Sequence, residues 1–231
     1  MGVLGMAAAS GATVGGRTRY YTFEFYRLKN GDQLPAMHRF FGNVAPKLDA
    51  MWTGPKLYLE AVIAPHMPQV AAVYGFSSLE EMASVREKLR PDVEFEYADS
   101  KLVEAAPYSP EIAAGEASKT PRIFELRVYH SPTYRQLAAL HERFAGPEIK
   151  IFHRTGIFPI FYSSTLVGPD MPNLTYLIPF ESLAAREKAW TAFAADPEWV
   201  RVRKESIDKY GQITIVNQMS LWKAADYSPF K

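Results

Sequence analysis

Glu125, Arg127 and Tyr129 alternate within the segment RIFELRVY. An acid, a guanidinium and a phenol on one face of a strand could bind a polar or anionic ligand or move a proton. Their neighbours Phe124, Leu126 and Val128 form the apolar face, which is expected to pack on helices and so turn the polar set toward a cavity. The segment RYYTFEFYRL offers Thr22, Glu24 and Tyr26 at the matching places. The plainer reading of both triplets is cross-strand pairing on a covered or solvated sheet face.

Two histidines, His38 and His141, stand at matched positions beside the apolar stripes of two helices, as candidate general bases, haem ligands or hydrogen-bonded packing residues. Tyr58, Tyr74, Tyr162 and Tyr176 fall on strands, where their rings would line a pocket with hydroxyls as handles, or simply serve as good strand residues. No histidine pair has helical metal-ligand spacing, and the chain has no cysteine, which removes disulfides, thiolate nucleophiles and cysteine-bound metals. No metal site is expected. Nucleophilic triads and glycine-rich phosphate loops are also absent from the sequence.

These residues recur because the chain repeats itself. Met67-Pro68 through Glu80 aligns with Met171-Pro172 through Ala184 at an offset of 104 residues, while Tyr26, His38 and Phe41 match Tyr129, His141 and Phe144 at 103. Matches in this order indicate a duplication of one unit. The chain's end, Tyr227-Ser228-Pro229, echoes Tyr108-Ser109-Pro110, so the unit includes this tail.

Each copy reads as strand, helix, strand, strand, helix, strand. In the first, strands are expected over Arg19–Leu28, Lys56–Ile63, Val70–Phe76 and Ser100–Ala106; in the second, over Arg122–Tyr129, Ile157–Val167, Leu174–Phe180 and Ile213–Trp222. Asn30-Gly31-Asp32 and Ser131-Pro132 should start the first helices, and Pro46 and Gly146-Pro147 should kink or restart them. Leu34, Met37, Phe41, Val44 and Leu48 mark the buried stripe. Ser78 and Ser182 should cap second helices over Leu79–Leu89 and Leu183–Ala194, and Asp196-Pro197 should begin a further one. The fold class is therefore α+β, two tandem ferredoxin-like βαββαβ units. The expected divisions are a disordered or signal-like segment over 1–18, a first domain over 19–110, a linker over 111–120 and a second domain over 121–231.

RIFELRVY opening a unit, Phe180-Glu181-Ser182-Leu183-Ala184-Ala185-Arg186 beginning its second helix, and Asp196-Pro197-Glu198-Trp199 late within it resemble the NIPSNAP family. The resemblance covers the second copy. The first is looser: Thr22 and Glu24 stand where Glu125 and Arg127 do, and nothing answers Asp196-Pro197-Glu198-Trp199. The resemblance implies a dimeric α/β-barrel, in which two ferredoxin-like units pair their sheets around a cavity. A tandem chain would close that barrel within itself or pair with a second chain, and the first arrangement is preferred. The superfamily includes monooxygenases, isomerases and haem-dependent enzymes, whereas NIPSNAP members have no assigned chemistry.

The expected function is a small-ligand-binding or interaction module that uses the cavity between the paired sheets. The candidate ligand-binding residues are Glu24, Tyr26, His38, Glu125, Arg127, Tyr129, His141, Tyr162 and Tyr176. The alternatives are a monooxygenase- or isomerase-like enzyme acting on a small organic substrate, or a haem protein ligated through His38 or His141. No cofactor is otherwise evident. A small molecule and a second copy of the chain are the partners considered. A net charge of +1 argues against nucleic acid, and no stretch has the length of a membrane span. The apolar first sixteen residues leave a cytoplasmic and an exported location both open.

Overall fold

The computed structural model describes residues 17–112 and 122–231; the expectations for residues 1–16 and 113–121 lie outside them. Eight antiparallel strands close a barrel within the single chain, in the order β1-β3-β2-β8-β5-β7-β6-β4. The first half contributes β1 (Tyr20–Arg27), α1 (Gln33–Met51), β2 (Lys56–Ile63), β3 (Gln69–Phe76), α2 (Leu79–Leu89) and β4 (Tyr97–Ala105). The second contributes β5 (Ile123–His130), α3 (Tyr134–Arg143), α4 (Ile149–Arg154), β6 (Phe161–Val167), β7 (Asn173–Phe180), α5 (Leu183–Ala195), α6 (Pro197–Tyr210) and β8 (Val216–Ala224). Each half is a split βαβ unit. The halves meet where β2 pairs with β8 and β4 with β6, both seams carrying a register shift.

Strand alternation sorts the side chains into three cores. Phe23, Phe25, Leu57, Val73, Val103, Phe124, Leu126, Phe161, Leu177 and Trp222 point inward from the eight strands and fill the lumen. Alternate residues point outward under the helices: Tyr26, Tyr58, Val70 and Tyr74 pack on Met37, Phe41 and Leu48 of α1, and Tyr129, Tyr162, Tyr176 and Ile178 pack on Leu140, Phe144, Phe152 and Phe193. A strand covered on both sides carries few polar residues, which is why β3 is buried at all eight positions. Each large ring so buried contributes on the order of 1.5–3 kcal/mol.

Several local expectations shift. Asp32 occupies the cap position of α1 but makes no side-chain capping bond; the Gln33 side chain accepts from the Lys29 amide instead. Thr133, rather than Ser131, caps α3, and the Ser131 hydroxyl donates to the Ile213 carbonyl. Pro46 lies inside one continuous helix, whereas Gly146-Pro147 sits in a π-helical turn, Phe144–Glu148, where Gly146 leaves helical geometry at φ −91 and ψ −110. The strand expected from Ile157 begins only at Phe161, and β8 runs later than expected, over Val216–Ala224. Both aligned Met-Pro bonds are cis.

The tails cross between halves. Ser109 Oγ accepts from the Tyr162 amide at 2.9 Å and donates to the Pro110 carbonyl, while Ser228 Oγ accepts from the Tyr58 amide at 3.1 Å and donates to the Phe230 carbonyl. The tail of each repeat is thus fastened to the other repeat.

Candidate functional site

On the outer face of the first half, β1 presents Glu24 and Tyr26 toward α2 and the loop that follows it. They open into a cavity of about 290 Å3, which Tyr74 of β3, Ser100 of β4 and Arg86 and Arg90 also line. Antiparallel register sets Glu24 directly opposite Ser100, whose hydroxyl donates to the Glu24 carboxylate. Phe76, Met82, Leu89 and Phe95 supply the apolar wall.

Burial raises the Glu24 carboxyl above its ordinary range, opposed by the Ser100 hydroxyl and by the charges of Arg86 and Arg90. Burial likewise pushes the Tyr26 and Tyr74 phenols upward, so both stay protonated donors at neutral pH. The Tyr74 hydroxyl is buried beside the Tyr58 phenol.

The matching position in the second half is filled by protein. Glu125 is fully buried, accepting from Arg127 Nε at 2.5 Å, Arg186 Nε at 2.6 Å and Trp190 Nε1 at 3.0 Å. Arg127 also donates to the Tyr129 hydroxyl at 2.8 Å and stacks its guanidinium 3.7 Å from the centre of the Trp190 ring. At the 104-residue offset, Arg186 and Trp190 replace Met82 and Arg86. Glu125 and Arg127 are thus committed to one another and to Arg186, Trp190 and Tyr129.

Two expectations are corrected here. Glu125, Arg127 and Tyr129 face the helices outside the barrel, and Phe124 and Leu126 face the lumen, the reverse of the expected arrangement. The closed barrel explains it: strands enclose the middle of the lumen on every side, and it takes the apolar set. Aromatic side chains fill that lumen, so the cavity containing Glu24 and Tyr26 lies between sheet and helix rather than between paired sheets.

The matched histidines are held on both ring nitrogens. His38 meets the Tyr227 hydroxyl at 2.9 Å and Glu60 at 3.0 Å; His141 meets the Tyr108 hydroxyl at 2.7 Å and Ser164 at 2.7 Å. Each bridges a crossing tail to a strand. Burial lowers the His141 imidazole to about 4. These residues do not fit haem ligation, because neither ring has a nitrogen free to coordinate iron without breaking its contact to a tail or to a strand. Tyr162 and Tyr176 stack at 5.8 Å in the second half's core, both buried, away from the cavity.

Arg86, Arg90 and Ser100 were not anticipated as site residues. The signal available was the contrast between copies: Glu24 replaces Arg127 just where Arg86 replaces Trp190. Among the described residues no cluster of His, Asp or Glu is suited to a metal ion, and no helix is long and apolar enough to cross a membrane.

Across solved proteins the fold recurs. A protein from Fusobacterium nucleatum, provisionally named a monooxygenase, matches with a TM-score of 0.62 at 6% identity, covering 90% of this chain and 93% of that one. A mutant chlorite dismutase from Candidatus Nitrospira defluvii, solved with cyanide, matches with a TM-score of 0.54 at 10% identity, covering 90% and 91%. A NIPSNAP family protein with unknown function from Agrobacterium tumefaciens is 19% identical over 49% of this chain and 96% of that one, with a TM-score of 0.42. No curated protein matches. The NIPSNAP family model matches residues 124–229, and the second half of this chain is therefore a NIPSNAP family domain on a tandem dimeric α/β-barrel.

Proposed function

We infer that the protein binds a small organic anion in the outer cavity of the first half. The observation that carries this reading is the asymmetry between two related positions: one is plugged by Arg127 and Trp190, the other is an open cavity lined by Glu24, the Tyr74 phenol and two arginines. At about 290 Å3 the cavity is at the lower end of ligand sites. An apolar body would rest on Phe76, Met82 and Phe95, an acidic end would meet Arg86 and Arg90, and a hydroxyl or amide would meet Glu24 and Tyr74.

The test is calorimetric titration with a panel of small aromatic and aliphatic carboxylates, comparing the protein with Arg86→Trp, which copies the plug of the second half. Binding by the parent and at least a tenfold loss in the variant are expected. A panel with no binder, or a variant that binds unchanged, overturns the reading.

A second reading rests on the raised Glu24 carboxyl: a group brought toward neutrality beside two phenols can carry a proton, making the site that of an enzyme. Fold relatives bear enzyme names, which fits this reading but does not select a reaction. Turnover of a bound carboxylate that disappears in Glu24→Gln, with binding retained, would separate it from simple binding.

A further inference from the structure

At the barrel end that carries the cis Met-Pro turns, the lumen changes character. The inward positions there belong to Arg27 of β1, Gln69 of β3, Asp99 and Lys101 of β4 and Ser220 of β8, and a void of about 120 Å3 remains among them above Phe25, Leu126 and Trp222. Lys101 is only 7% exposed. Its stem is enclosed by the turn at Gly168, where φ is +149 and a Cβ would come within 3.0 Å of Lys101 Cγ.

The ammonium of Lys101 has no hydrogen-bond acceptor in range among the described residues; its nearest carboxylate, Asp170, is 3.8 Å away. The comparison within the molecule is Lys56, just as buried, whose Nζ donates to the carbonyls of Trp52 at 2.7 Å and Gly54 at 2.9 Å and meets Asp49 at 3.0 Å. Lys56 is a saturated structural lysine, and Lys101 is not. Burial lowers the Lys101 amine below the ordinary lysine range, outweighing the opposite pull of Asp170 and Asp99. Arg27 is paired to Asp99 at 3.0 Å, and His130 lies 4.0 Å from Asp170, so these are the charged and titratable groups that face the amine. Gln69, 1% exposed, lines the same void with its carbonyl oxygen unpartnered.

We propose that Lys101 is a carbonyl-reactive amine that forms an imine with a small aldehyde entering the barrel mouth. Asp170 takes a proton from the ammonium, and the freed amine attacks the carbonyl carbon, forming a C–N bond as the C=O π pair moves to oxygen. A proton passes from nitrogen to that oxygen, giving a carbinolamine. Asp170 then returns its proton to the hydroxyl, the C–O bond breaks, and water leaves with a protonated imine on Lys101. The net change is ammonium plus aldehyde to iminium plus water, with no oxidant or reductant. At ~30 Å3 per water-sized group the void admits about four such groups, which suits a short aliphatic aldehyde. This site is separate from the outer cavity, so either can fail alone.

The experiment is reductive trapping of the whole chain with acetaldehyde and cyanoborohydride at pH 7, followed by peptide mass mapping. Ethylation of Lys101 at least tenfold faster than of the exposed Lys29 and Lys188, with Lys56 unlabelled, is the expected result. Asp170→Asn, which keeps a residue tolerant of the positive φ of 67 at that position, should slow Lys101 several-fold and leave Lys188 unchanged. Labelling of Lys101 no faster than of Lys188 overturns the proposal; an Asp170→Asn rate equal to the parent's overturns the proton relay.

Discussion

The two histidines stand at equivalent places, yet their surroundings differ. His38 faces Glu60, which also accepts Lys223 at 3.0 Å, whereas His141 faces the neutral Ser164 and Tyr108. With no carboxylate beside it and burial disfavouring its charge, His141 stays neutral in the folded chain until about pH 4, while in the unfolded chain it protonates near its ordinary 6.5. The sign follows from linkage: between those values the unfolded state binds more protons, so this contribution is intact above pH 6.5 and is lost as pH falls to about 4. The upper bound is on the order of 3 kcal/mol. Urea denaturation of the protein and of His141→Gln from pH 7 to pH 4 should show the parent losing stability more steeply than the variant. Parallel curves would mean that the imidazole protonates freely in the folded state. Residue chemistry was only partly legible in the sequence. Glu24 and Tyr26 could be named from their alternation, but Arg86 and Ser100 come to Glu24 from a helix and a strand more than sixty residues away in sequence, and no local pattern announces that meeting.

At the scale of elements, the tail motif contributes most for its length. Tyr-Ser-Pro follows β4 and β8, and each serine satisfies a buried amide at the start of a strand in the other half. Ser109 and Ser228 are 5% and 3% exposed, so removing either hydroxyl leaves a buried N–H that water cannot reach. Ser109→Ala and Ser228→Ala should each cost about 1–3 kcal/mol, measured as a lower urea midpoint at unchanged slope. Because the two bonds lie on opposite seams, the double variant should lose the sum of the two costs; a variant at parent stability would show that the amide finds another acceptor. The echo of this motif was visible in the sequence, as were nearly all the helices and strands, because periodicity and capping are local properties. What the sequence did not reveal was direction. Alternation in RIFELRVY separates two faces without saying which is inside, and a barrel with covered strands buries both. Only closure decides that Phe124 goes to the lumen and Glu125 to the helix side.

Over the whole molecule, closure depends on each half lending its edges to the other. β6 ends its own half's sheet and is paired by β4, while β8 is paired by β2. Cut apart, each half would expose two unpaired strand edges and its lumen face, bearing Phe23, Leu57 and Val73 in the first half and Phe124, Phe161 and Trp222 in the second. Exposed edges beside a large apolar face promote association. The pseudo-symmetry suggests how it would resolve, since β8 of one copy could take the place of β4 beside β6 of another, giving a barrel of two identical halves. Residues 122–231 expressed alone should therefore run as a dimer by light scattering, or aggregate, with near-native strand content by circular dichroism in the dimer. A folded monomer would show that the NIPSNAP half needs no partner sheet, and that the tandem arrangement does not serve to bury its edges. The dimer would instead explain why duplication could free the first half to lose its plug: with closure secured by the shared barrel, the space between β1 and α2 can stay open around Glu24 while Arg127 and Trp190 hold the other side shut.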